Sequence, residues 1–197
     1  LLCMACIFLG ACAENTMSNW ISVFMENALH IPKVWGDILG MSLFAILLAL
    51  TTTGYAKYGK NISNVLMISM SGAAICYITA AFSPNAALSL IACVTLGICT
   101  SMLWPGTLIL MEEKIPAASV AAYALMAAGG DLGASVAPQT FGIIVDNISL
   151  TEWAKTFGSA LSLTPEQVGF KAGMLIVAVF PILGMLLLIY MKKFFKT

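Results

Sequence analysis

Arginine is absent from the chain, and histidine occurs once, as His30. Charge of either sign is scarce: the charged residues, nine lysines among them, make up 9% of the sequence and cancel to zero. A soluble domain carries roughly a quarter. The missing arginines remove the usual bidentate grip on phosphate and carboxylate. The missing basic excess excludes nucleic acid as a partner, because that binding needs Lys/Arg clusters to displace counterions. No cluster of metal ligands is visible, and neither a metal nor a cofactor is expected.

Apolar residues fill the space, at 60% of the 197 positions. So little polar surface cannot cover the chain in water, and lipid must cover the rest. The six cysteines, Cys3, Cys6, Cys12, Cys76, Cys93 and Cys99, all fall in apolar runs. Cys3-Met-Ala-Cys6 has redox spacing but no second pair, so the thiols read as small buried hydrophobes. The chain opens at Leu1 inside an apolar run, without Met or a basic leader, a pattern expected of part of something longer.

A membrane-crossing helix needs about 20 apolar residues. Six stretches qualify: 1–24, 34–55, 64–82, 86–110, 117–145 and 168–190. Helices are the default because each segment must satisfy its own backbone, and the alternation of barrel strands is missing. Lys57, Lys60, Lys114, Lys192, Lys193 and Lys196 fall on one side of such a bundle, and Lys33, Lys155 and Lys171 on the other. The expected fold is therefore an all-α membrane protein of six spans with both termini in the cytoplasm. One long outer connection interrupts the short ones. Ser149-Leu-Thr-Glu152 reads as a capping box opening a short outer amphipathic helix with Trp153, Phe157 and Leu161 on one side. Thr164-Pro-Glu-Gln167 reads as a second box that starts the last span.

Polar residues are unevenly spread, and intramembrane polarity marks a pathway or a partner. The first span carries Glu14, Asn15, Ser18, Asn19 and Ser22 on adjoining stripes. In the fifth, Asp131, Ser135 and Gln139 recur every four residues amid Gly129, Gly130 and Gly133, which predicts close helix contact with the polar stripe facing inward. The fourth span is expected to break at Trp104-Pro105-Gly106, with Thr107 following. Asp37, one turn from Lys33, reads as half of a local ion pair. Spans three and six, poor in polar groups, are expected at the periphery. Catalysis lacks support. Gly133-Ala-Ser135-Val-Ala137 resembles the serine loop of rhomboid proteases, but His30 lies in a loop, and no histidine within a span serves as base.

This layout resembles the C-terminal half of a major facilitator superfamily transporter. The most specific match is Ala56-Lys57-Tyr58-Gly59-Lys60-Asn61, which resembles the core of that family's cytoplasmic loop signature. The stretch from Gly10 to Trp20 looks similar to bacterial fucose-permease-like members. The resemblance implies an inverted 3+3 helix repeat, a missing N-terminal six-helix half and a bacterial inner-membrane location. It also implies secondary transport of a small polar solute, with H+ coupling. The substrate or coupling site would draw on Glu14, Asn15, Ser18, Asn19, Trp104 and Thr107. Asp131, Ser135, Gln139, Lys57, Gly59 and Lys60 would serve gating or contact between halves. The competing expectation is a complete six-helix subunit that forms a homodimer or scaffolds a partner.

Overall fold

The computed structural model describes residues 1–194, and among these every regular element is helical. Lys196 lies outside the described residues. Helix α1 covers Leu2–Leu29, α2 Lys33–Tyr58, α3 Ile62–Phe82 and α4 Ala86–Lys114. Helix α5 covers Val120–Ser149, α6 Glu152–Leu161 and α7 Pro165–Phe194. Five of them, α2, α3, α4, α5 and α7, are long and apolar enough to cross a membrane. Helix α1, at 28 residues, is long enough but not apolar enough, because Glu14, Asn15 and Asn19 interrupt its apolar run.

Helix α1 is nonetheless the hub. It packs against α2, α4, α5 and α7, and Ile7, Met17, Ile21, Phe24 and Met25 on it are wholly buried. Tyr77 of α3 is also wholly buried, and its hydroxyl donates to the Ala13 carbonyl of α1 at 2.6 Å. Helix α5 reaches α1 through small residues. A methyl group at Gly133 would run into the Phe8 carbonyl oxygen and sit 3.2 Å from the Ala11 Cβ. Only glycine permits that backbone approach.

Prolines shape two of the long helices. The break in α4 is a turn at Ser101–Met102, upstream of the expected Trp104-Pro105-Gly106. Pro105 has no N–H to return to the Ser101 carbonyl four residues back, and its ring crowds that carbonyl. The freed oxygen accepts instead from the Thr52 hydroxyl of α2 at 3.2 Å, shared with Thr52's own helix at Leu48, 2.9 Å. A turn at Ala178 likewise precedes Pro181 in α7.

The helix starts follow side-chain chemistry, with one correction. Thr151, not Ser149, caps α6, accepting from the Ala154 N–H at 3.1 Å. Ser149 belongs to the last turn of α5, where its hydroxyl donates to the Val145 carbonyl. The box at Thr164 forms in full, with Pro165 in the first helical turn and Gln167 closing back on the Thr164 N–H at 2.8 Å.

One expectation about packing is overturned. Asp37 does not pair with Lys33. It lies in a π-helical stretch of α2, Gly36–Ser42, where its carboxylate accepts a hydrogen bond from Ser22 of α1. Helix α3 packs against α4 and α7, burying Leu66, Met70 and Tyr77. Helices α2 and α5 are the open ones, exposing Ile46, Leu50, Leu132, Val136 and Ile143. Gly129 and Gly133 seat α5 on α1, and α2 meets α1 at Gly36 and Gly40 and α4 at Phe44, so larger side chains are turned outward.

Candidate functional site

The polar residues of α1 divide between two directions. Ser22 turns into the bundle towards Asp37. Glu14, Asn15 and Ser18 are half-buried and Asn19 is exposed, so they edge the open face of the helix. Glu26, which sequence reasoning passed over, is exposed close to the Asn15–Asn19 line, eleven residues beyond Asn15, or about three turns. Its signal was available in that spacing.

The hydrogen bonds on this face have a consistent sense. The Asn15 amide donates to the Ala11 carbonyl at 3.1 Å, and the Asn19 amide to the Asn15 carbonyl at 2.7 Å. Ser18 donates its hydroxyl to the Asn15 carbonyl at 3.2 Å. Only the nitrogen of each amide can donate to a carbonyl, which fixes its orientation. Both Oδ1 atoms are left as acceptors. The Glu14 carboxyl has neither a hydrogen-bond nor an ion-pair partner among the described residues. The face therefore offers the Glu14 carboxyl and both Oδ1 atoms as acceptors, and each amide keeps one further N–H. Its chemistry suits a proton or a ligand that presents hydroxyl or amine hydrogens.

The other expected residues are not all brought to it. Thr107 is wholly buried, donating to the Leu103 carbonyl at 2.6 Å and lying 3.8 Å from the Cys6 sulfur. It serves contact between α1 and α4. Trp104 packs flat into the space left by Gly130, where an added Cβ would come within 2.6 Å of the indole. It fills the α4–α5 contact at the kink. Asp131, Ser135 and Gln139 are exposed, and Ser135 donates to the Asp131 carbonyl at 2.8 Å. The predicted inward direction is corrected: the glycines of α5 take the inner face, and the polar stripe looks away from this bundle.

Above Asn19 the open face ends in an aromatic cluster that the sequence spacing did not reveal. Trp20 lies 5.2 Å from Phe141 and 6.3 Å from Phe170, and Phe24 lies 6.2 Å from Phe170. The Trp20 N–H donates to the Pro138 carbonyl at 3.0 Å, so α1, α5 and α7 are locked there. A cavity of about 770 Å³ opens beside it, lined by Trp20, Asn27, Asp146, Glu166 and Phe170 among others.

A family model described as Major Facilitator Superfamily matches residues 1–138. The chain belongs to that superfamily. The match spans α1 to α4 and α5 as far as Pro138, so it takes in the polar face of α1, the kink of α4 and the glycines of α5. No curated protein and no solved structure matches the chain. Superfamily members are membrane transporters, and with five helices apolar enough to span, this is an integral membrane protein. Lys57, Gly59 and Lys60 lie exposed at the α2–α3 connection, the Lys57 ammonium 5.1 Å from the centre of the Tyr58 ring. They are remote in sequence and element from the polar face of α1.

Proposed function

We propose that the chain is the C-terminal six-helix half of a secondary active transporter that moves a small polar solute by alternating access, coupled to H+. The single observation that carries this reading is the polar face of α1: Glu14 without a partner among the described residues, and Asn15 and Asn19 with both Oδ1 atoms free and one N–H each given to a backbone carbonyl. Ionisable groups within a membrane are costly and are retained along substrate and ion pathways. In this reading α1 is the sixth span despite its polarity. Its length of roughly 42 Å exceeds the hydrocarbon core, and its central packing shields most of its circumference.

Helices α1 to α3 and the spans of α4, α5 and α7 would form the inverted pair of repeats, with both termini cytoplasmic. Glu14 would carry the proton or accept a substrate hydroxyl or amine, with Asn15, Ser18 and Asn19 beside it. Asp131, Ser135 and Gln139 would meet the N-terminal half in one state of the cycle, with Lys57, Gly59 and Lys60 at the cytoplasmic closure. Trp104 and Thr107 act indirectly, by setting the α4 contacts. The similarity of the Gly10–Trp20 stretch to fucose-permease-like members, and the bacterial inner membrane, belong to the same reading. The exposed stripe on α5 favours a second membrane body over a self-sufficient subunit, because lipid would not tolerate Asp131.

Proteoliposomes of the full-length protein loaded with a pH-sensitive dye test it, challenged with a panel of hexoses, polyols and amino acids. The wild type should acidify the lumen with at least one solute, and faster at lower external pH. Glu14→Gln should abolish proton entry, while Asn19→Ala should raise the half-saturating solute concentration about ten-fold for one lost polar contact. Wild-type behaviour of both variants would remove α1 from the site.

A further inference from the structure

A second cavity, of about 650 Å³, lies at the other end of the molecule from the α2–α3 connection, between α6, the start of α7 and the ends of α1 and α3. We propose that it seats an anionic membrane phospholipid, with the Lys171 ammonium taking the phosphate and the apolar walls taking the upper acyl chain. The inference is independent of which solute is transported.

Lys171 is fixed in position by α3. Its Nζ donates to the Ala81 carbonyl at 3.2 Å and the Ser83 carbonyl at 2.8 Å, two oxygens that the end of that helix leaves open. An ammonium has three donors, so one remains after both carbonyls are served. Among the described residues no carboxylate pairs with it. The cavity thus holds a positive charge with a free donor and nothing of opposite sign.

The walls argue for a lipid over a soluble anion. Trp153, Phe157 and Leu161 recur every four residues on α6, and all three line the cavity. They remain 57%, 45% and 54% exposed, with the Trp153 and Phe157 rings stacked at 5.0 Å between centroids. Phe82 on the facing wall is 70% exposed. A free phosphate would leave all four to water; an acyl chain would cover them. An amphipathic helix of this kind lies in the plane of the membrane interface, and tryptophan concentrates at headgroup depth. The lysine is therefore at the level where lipid phosphates are.

Gln167 and His30 form the polar rim. Gln167 Nε2 donates to the Ala28 carbonyl at 3.0 Å and to His30 Nε2 at 3.0 Å. The ring nitrogen that receives this bond cannot carry the proton in neutral imidazole, which leaves Nδ1 as the protonated nitrogen of that form.

The test uses full-length protein reconstituted in bilayers of equal phosphatidylglycerol and phosphatidylcholine, released in mild detergent, with retained lipids identified by native mass spectrometry. The wild type should keep phosphatidylglycerol over phosphatidylcholine by roughly five-fold, as expected for one lysine near the surface. Lys171→Gln should lose that preference and Lys171→Arg keep it. Trp153→Ala with Phe157→Ala, on an exposed face that the fold does not need, should lower retention of both lipids. Equal retention of the two lipids by the wild type would overturn the proposal, as would an unchanged preference in Lys171→Gln. Displacement of the lipid by millimolar glycerol 3-phosphate would show a soluble anion as the occupant, and would overturn it too.

Discussion

Tyr77 shows what a single residue does in a bundle where polar groups are few. It is wholly buried, and its hydroxyl reaches across from α3 to the Ala13 carbonyl of α1, one residue before Glu14. The bond anchors the rear of α1 beside its polar face. Tyr77→Phe leaves the ring in place and removes only the hydrogen bond, which should cost about 1 kcal/mol. The thermal midpoint of the detergent-solubilised protein should fall by a few degrees for a loss of that size, and solute uptake should keep its half-saturating concentration. An unchanged midpoint would mean that the bond contributes nothing. The sequence made Glu14, Asn15 and Asn19 legible as an intramembrane cluster, because their rarity and helical spacing are both visible in one dimension. It did not reveal Tyr77 as a partner of α1, since its target is a backbone carbonyl 64 residues away with no sequence signature. The direction of the Asn15 and Asn19 amides was equally hidden, because an amide offers both donor and acceptor until the neighbouring carbonyls are placed.

At the scale of elements, the joint between α2 and α4 is where local and long-range chemistry meet. Pro105 strips the Ser101 carbonyl of its helical partner, and Thr52 supplies another from a different helix. Each residue makes sense of the other, which a double-mutant cycle can read. Thr52→Val alone should destabilise the protein by about 1 kcal/mol, leaving the Ser101 oxygen without a donor. In a Pro105→Ala background the restored N–H serves that oxygen, and Thr52→Val should cost about half as much or less. Additive effects would show that the shared hydroxyl bond is incidental. Sequence reading placed the α4 break at the Trp-Pro-Gly triplet itself. The break falls one turn upstream because proline injures the turn before it. Thr51, Thr52 and Thr53 gave no hint of which one would turn inward, since three hydroxyls in a row cover most of the circumference. The cap of α6 slipped in the same way: Ser149 and Thr151 both suit a helix start, and the continuation of α5 through Ser149 decided between them.

The whole molecule has one property that no single helix carries: α5 holds on to α1, and α2 on to α1 and α4, by narrow faces, and both present the rest outward. Outward on α5 means the stripe of Asp131, Ser135 and Gln139, set among Leu132 and Val136. Such a mixture fits neither lipid alone nor water alone. It fits a face that meets another membrane body and is wetted during part of a cycle, as the proposed function requires. Thiol accessibility separates these environments. Cys3, Cys6, Cys12, Cys76 and Cys93 are buried and Cys99 is partly exposed, so a Cys99→Ala background should react little with a membrane-impermeant maleimide. Asn19→Cys and Gln139→Cys in that background should become reactive. Ile46→Cys and Leu132→Cys should lag by on the order of ten-fold, because a thiol without water stays protonated and inert. Wetting that comes and goes should also make the Asn19→Cys and Gln139→Cys rates respond to a transported solute. Equally slow reaction at all four positions would mean that the open face of α1 and the stripe on α5 share no aqueous path. Glu14 would then be a structural carboxyl of a bundle sealed by its neighbours, and the coupling role proposed for it would have no water through which to exchange a proton.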